Sequence, residues 1–185
     1  MNRREELLQQ VTDYVLSEGL IGLTLRPLAD AIGTSDRMLI YHFGNRDALV
    51  TAVVVESTRR AIEAVERVPA ARTIRSAVNR LWAAYQTQPL HACLQVYLQA
   101  AATGLIGHEP HLSLARDTNE QWAQALRDYF VRSGAPGRRV ARIVTMVDSA
   151  LYGFHLDLVT DRPEELAKGV DDLAVAAQSL AKVAG

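Results

Sequence analysis

The sequence predicts an all-α protein, with an N-terminal helix-turn-helix head and a C-terminal helical bundle body that dimerises. Apolar residues recur at helical spacing along nearly the whole chain, and no segment alternates as a strand would. The third observation is the stretch from Leu23 to Leu49, LTLRPLADAIGTSDRMLIYHFGNRDAL, which spells two short helices around a glycine turn.

Leu7, Leu8, Val11, Tyr14 and Val15 make the apolar stripe of a first helix, closed by Gly19. Thr24 is placed to cap the next one, whose apolar face is Leu25, Leu28, Ala29 and Ile32. Pro27 falls in its first turn, where the missing N–H has no intrahelical partner to lose. Gly33 stops that helix, since glycine enters the left-handed region cheaply. Ser35 then caps a second short helix from Asp36. In such a unit the second helix is the one that enters the DNA major groove.

Asn45 can cap a longer helix carrying Leu49, Val53, Ile62 and Val65, which ends before Pro69. Residues 1–47 form the expected DNA-binding domain, and 48–185 the expected ligand-binding and dimerisation domain. The body begins near Thr73 with the stripe Ile74, Val78, Leu81, Trp82 and Tyr85. A mostly apolar helix follows over 90–106, broken at Gly104, Gly107 and Pro110. A third runs from Leu112 to Arg132, and Ser133 to Gly137 is the clearest loop in the chain. The last two helices, 138–159 and 163–182, carry the most continuous late stripes and are expected to pair with a second copy as a four-helix bundle. Val144, Val147, Leu151, Leu173 and Ala177 are the expected seam, with Asp161 capping the final helix and Pro163 in its first turn.

Composition narrows the function. The 185 residues are 49% hydrophobic with a formal net charge of −1, enough for a sizeable core and no strong global field. No apolar run approaches the roughly 20 residues that span a bilayer. The charged N-terminal segment MNRREELLQQ begins a helix and is no signal segment, and Cys93 stands alone, so a cytoplasmic protein without membrane association is expected. No Gly-x-Ser-x-Gly, phosphate-cradling glycine loop or paired-carboxylate constellation appears, so no enzyme activity and no cofactor are expected. His108-Glu109-Pro110-His111 offers metal-ligand types, but the spacing of a helical zinc site is absent and Pro110 breaks the helix that would align them. No metal is expected there.

The first quarter of the chain resembles the tetracycline-repressor (TetR) family of bacterial regulators. The matching residues are Gly19, Thr24, Leu28, Ala29, Ile32, Gly33, Ser35, Leu39, Tyr41, His42, Phe43, Arg46 and Leu49. The rest matches in length and helical character only. The resemblance implies a homodimer whose variable ligand-binding body controls the heads. In one departure Ile40 stands where the family usually has a tyrosine that touches phosphate, which shifts that load to Tyr41, His42 and Arg46.

The expected DNA-binding residues are Arg26, Ser35, Asp36, Arg37, Met38, Tyr41, His42 and Arg46. Arg37 and Met38 lie early in the recognition helix, where Arg37 can meet guanine O6 and N7. Asp36 favours the helix N-terminus through the dipole. Arg26 is placed for phosphate or neighbouring bases, and Arg46 for phosphate. Tyr41 and His42 either donate to phosphates or pack between head helices. In the body, Trp82, Tyr85, Tyr97, Trp122, Met146 and Tyr152 are candidate walls of a ligand pocket or plain core.

Together these residues predict a ligand-responsive transcriptional regulator, most simply a repressor. It would bind a palindromic double-stranded DNA operator as a homodimer and be released by a small-molecule effector. One fact opposes this. In residues 1–50 the bases Arg3, Arg4, Arg26, Arg37 and Arg46 are outnumbered by Glu5, Glu6, Asp13, Glu18, Asp30, Asp36 and Asp47, whereas DNA-binding heads are ordinarily basic. The alternative is a helical small-molecule binding protein with a degenerate head that no longer binds DNA.

Overall fold

The computed structural model describes residues 2–106 and 111–182, with the side chains of 111–117 outside that description. Among these residues the secondary structure is helical throughout, in the order α1 (Arg3–Glu18), α2 (Leu25–Ala31), α3 (Asp36–Phe43), α4 (Arg46–Glu66), α5 (Ile74–Tyr85), α6 (Leu90–Leu105), α7 (His111–Arg132), α8 (Gly137–Asp157) and α9 (Pro163–Lys182). No helix of the described residues is long and apolar enough to cross a membrane.

The caps explain most of the boundaries. Asn2 and Glu5 form a reciprocal capping box at the start of α1. Asn45 accepts from Ala48 N at 2.8 Å at the start of α4, and Thr73 accepts from Ser76 N at 3.1 Å at the start of α5. Thr24 stands at the N-cap of α2 with extended backbone, but its hydroxyl accepts no capping hydrogen bond. Gly104 lies inside α6 and does not break it, because glycine costs a helix only about 1 kcal/mol. At α9 the first intrahelical bond runs from Leu166 N to the Arg162 carbonyl, so Arg162 and not Asp161 holds the cap position. Pro163 opens that helix, where its missing N–H costs nothing.

The chain divides into two compact units, residues 1–61 with 91–120, and residues 62–90 with 121–185. This is a division by packing, distinct from the functional boundary drawn at residue 47. The first unit is built on Leu7, Val11, Val15, Leu28, Leu39, Phe43, Leu49 and Val53, joined by Val96 and Ala100 of α6. Gln99 of α6 reaches the end of α1, where its Oε1 accepts from Leu20 N at 2.7 Å and Ile21 N at 2.9 Å. A polar brace ties α1 to α4: buried Glu56 accepts from Gln9, Arg59 and Arg60, and Arg60 also pairs with Asp13. These donors, Arg59 foremost, hold the Glu56 carboxyl down at about 2 against the opposing effect of burial. Cys93 is buried in this unit, which pushes its thiol up to about 11 and leaves it inert.

The second unit packs α9 against α5 and α8. Val78, Leu81, Tyr85, Leu126, Tyr129, Phe130, Ile143, Val147, Leu151, Val170 and Ala174 are all buried. The Tyr129 hydroxyl donates to the Ala77 carbonyl at 2.9 Å. Gly169 lets α9 approach α8 closely, since a Cβ there would stand 2.8 Å from the Phe154 ring. The stripe expected to meet a second copy is largely consumed here. Val144, Val147, Leu151 and Ala177 are 4, 0, 0 and 0% exposed in the single chain, because α5 supplies the facing surface that the sequence left unassigned. Leu173 alone of the expected seam is half-buried.

Candidate nucleic-acid interface and body site

The head is a helix-turn-helix. α2 ends with Thr34 N bonded to the Ala29 carbonyl at 2.9 Å, and Gly33 between the helices has φ +69°. No atom would meet a Cβ at Gly33, so the turn needs glycine for its backbone and not for space. Ser35 Oγ then accepts from Met38 N at 3.2 Å and starts α3. Leu39 and Phe43 turn α3 inward. Asp36, Arg37, Met38, Ile40 and Tyr41 are left outward, Tyr41 with 77% of its surface exposed.

Six of the eight predicted DNA-binding residues therefore lie on α3 or its cap, from Ser35 to His42, with Arg26 in the first turn of α2 and Arg46 at the first position of α4. Among the described residues the guanidinium groups of Arg26 and Arg37 make no hydrogen bond or ion pair. Arg46 differs. Its Nε and Nη2 donate to the Leu23 carbonyl at 3.1 and 3.0 Å, which ties the start of α4 to the loop before α2. His42 is half-buried against the edge of the Tyr41 ring, centroids 5.0 Å apart, and its Nε2 is buried with no partner among the described residues. Arg4, absent from the sequence prediction, donates to the His42 carbonyl at 3.3 Å and lies 5.1 Å above the Phe43 ring.

The body candidates separate. Tyr97 belongs to the first unit, and Trp82, Tyr85, Trp122, Met146 and Tyr152 to the second. Tyr85, Trp122 and Tyr152 form a mutual cluster with centroids 6.1 to 6.5 Å apart, and His155 meets Tyr85 at 6.4 Å. Trp82 packs instead on Phe154 at 6.2 Å, and Met146 is half-buried. The cluster closes on a residue that was not predicted. Asp148 Oδ1 accepts from Trp122 Nε1 at 2.9 Å and from the Tyr85 hydroxyl at 3.3 Å. Burial raises this carboxyl to about 6, against the lowering effect of those two hydrogen bonds. Burial likewise raises the Tyr85 hydroxyl well above its ordinary value, so it stays a donor. The sequence did hold a signal: Asp148 falls four residues after Val144 and three before Leu151, inside an apolar stripe where an acid is out of place.

Residues 107–110 and the His111 side chain lie outside the described residues, and with them the His108–His111 motif. Among the described residues no group of three or more His, Cys, Asp or Glu could hold a metal ion.

Solved structures share this architecture over the whole chain. A TetR transcriptional regulator from Legionella pneumophila superposes with TM-score 0.71 at 16% identity, covering 96% of this chain and 98% of its own. The fold is that of the TetR-family regulators. A transcriptional regulator from Rhodococcus sp. RHA1 gives TM-score 0.72 at 17% identity with 100% of both chains covered. The multidrug binding protein EbrR, complexed with proflavin, gives 0.69 at 16% identity, covering 95% of this chain and 99% of its own. No protein-family model and no curated protein sequence matches the chain. The TetR fold thus accounts for all the described helices, with the helix-turn-helix at the N-terminal end.

Proposed function

We propose that the protein is a ligand-responsive transcriptional regulator, a repressor that acts in the cytoplasm and binds a palindromic operator as a homodimer. The observation that carries this reading is α3. It is held by a capped glycine turn and presents the unpaired Arg37 in its first turn, where a recognition helix meets base edges. Arg26, Tyr41 and His42 are the proposed supporting contacts, and Arg46 reaches phosphate only with Nη1, which Leu23 leaves unbonded and which stands 3.8 Å from the Asp47 carboxylate. The acidic side chains that weakened the sequence argument are partly engaged elsewhere: Glu5 in the α1 cap and Asp13 with Arg60.

The proposed dimer uses the faces of α8 and α9 that the protomer leaves open, where Leu156 and Val175 are 61 and 44% exposed, with Val159 in the turn after α8 84% exposed. The aromatic cluster of the second unit is the proposed ligand site, in keeping with a TetR-fold protein solved with proflavin. The ligand shifts DNA affinity only if it binds one state of the dimer better than the other. No catalytic role is assigned to any residue.

A gel shift with duplex fragments tiled across the gene's own upstream region tests the reading. A discrete complex at one fragment supports it. Failure on every fragment at low salt leaves the protein as a small-molecule binder with a degenerate head.

A further inference from the structure

We infer that Asp148 and the rings of Tyr85, Trp122 and Tyr152 form a binding site for an organic monocation, a quaternary ammonium or a protonated amine on an apolar frame. The inference rests on the ligand-sensing reading above and gives that ligand a chemical class.

Asp148 is a carboxylate without a countercharge among the described residues. Among the described residues no ion pair includes it, and both of its hydrogen bonds come from neutral donors and end on Oδ1. Oδ2 accepts none among those residues. A half-buried carboxylate set among aromatic rings loses part of its hydration, and a cation is the partner that makes up that loss best. Its surroundings are aromatic instead: Tyr85 is fully buried and Trp122 4% exposed, with the half-buried Tyr152 one helical turn beyond Asp148. Their centroids lie 6.1 to 6.5 Å from one another. Ring faces carry negative potential, so three rings beside one carboxylate suit a diffuse positive charge.

The same features exclude other ligands. A neutral apolar molecule covering the half-buried Asp148 would strip the solvent from Oδ2 and return no partner. An anion would face the carboxylate directly. A metal ion would find one carboxylate and no set of three acids, thiols or imidazoles among the described residues. One carboxylate balances one charge, which favours a monocation over a polyamine. Near neutral pH the carboxyl, raised to about 6, is mostly ionised and able to supply that charge. Tyr85 comes from α5, Trp122 from α7, and Asp148 and Tyr152 from α8, so such a ligand touches three helices of the second unit at once.

The test is calorimetric titration of the full-length protein, without DNA, at pH 7.5. Benzyltrimethylammonium is the probe, and benzyl alcohol is the neutral control of similar frame. Saturable binding of the cation, with the alcohol at least about tenfold weaker, is the expected result. Asp148→Asn keeps the shape and the hydrogen bonds and removes the charge, and it should weaken the cation by about tenfold or more while leaving the alcohol unchanged. Equal binding of alcohol and cation by the unmodified protein would overturn the inference, as would the absence of saturable binding. So would a folded Asp148→Asn variant that binds the cation undiminished. Because no DNA is present, any of these leaves the DNA-binding reading where it stood.

Discussion

Arg46 donates both Nε and Nη2 to one acceptor, the carbonyl oxygen of Leu23, at 3.1 and 3.0 Å. The bond joins the first residue of α4 to the loop that leads into α2, so it braces the frame that holds α3. Arg46→Ala should therefore lose about 1–2 kcal/mol of stability, the scale of charge-assisted hydrogen bonds discounted for a side chain 45% exposed. Arg37→Ala removes no such bond and should stay within about 0.5 kcal/mol. Urea unfolding of both variants checks the contrast. Equal stabilities would mean that the Leu23 bond contributes nothing.

Gly33 sits at φ +69° with open space where a Cβ would go. Gly33→Val should cost about 1–3 kcal/mol from backbone conformation alone. Gly33→Asn should cost less, since asparagine tolerates the left-handed region best among the other residues. Thermal melts showing valine and asparagine alike would place the cost in something other than the turn.

Asp148 and Glu56 oppose each other in pH dependence. The folded Asp148 carboxyl titrates at about 6 against 3.8 for the ordinary group, so the folded state holds the extra proton between those values. Its contribution is thus lost as pH rises through that window, by about 3 kcal/mol. Glu56 is shifted the other way, to about 2 from 4.5, so its contribution is present above pH 4.5 and lost as pH falls toward 2. Asp148→Asn should be more stable than wild type at pH 7.5 and should flatten the decline between pH 4 and 6.5. A variant less stable than wild type at pH 7.5 would contradict a carboxylate held there at a cost.

The fold was legible because its signals are local. Glycine turns at Gly19 and Gly33 and capping side chains at Ser35 and Asn45 need only a few neighbouring residues, and each appears at its expected place. What the sequence could not show depends on partners distant in the chain. Arg46 finds Leu23 across the head, and Asp148 finds Trp122 and Tyr85 from other helices. The α8 stripe was read correctly as apolar and assigned to the wrong neighbour. Periodicity identifies a buried face, but not whether the chain or a second copy covers it.

Dimerisation separates the two possible neighbours. Val175→Glu alters a side chain 44% exposed in the protomer, so the variant should fold and yet sediment as a monomer. Val147→Glu places the same charge at a position 0% exposed and should unfold the chain. A folded, normally dimeric Val175→Glu protein would move the interface elsewhere.

The central claim is that α3 reads DNA, and the most direct measurement is a salt titration. Wild type and Arg37→Ala are compared on the shifted upstream duplex and on a random duplex of equal length. With few cations on the head, three or four phosphate contacts per protomer give a log–log slope of about −5 to −7 for the dimer. Arg37→Ala should lose about 1–3 kcal/mol on the specific duplex. On random DNA it should change little, and its salt slope should match wild type. Identical losses on both duplexes would show that Arg37 contacts phosphate and reads no base. Wild type that binds neither duplex at low salt would contradict the regulator account itself.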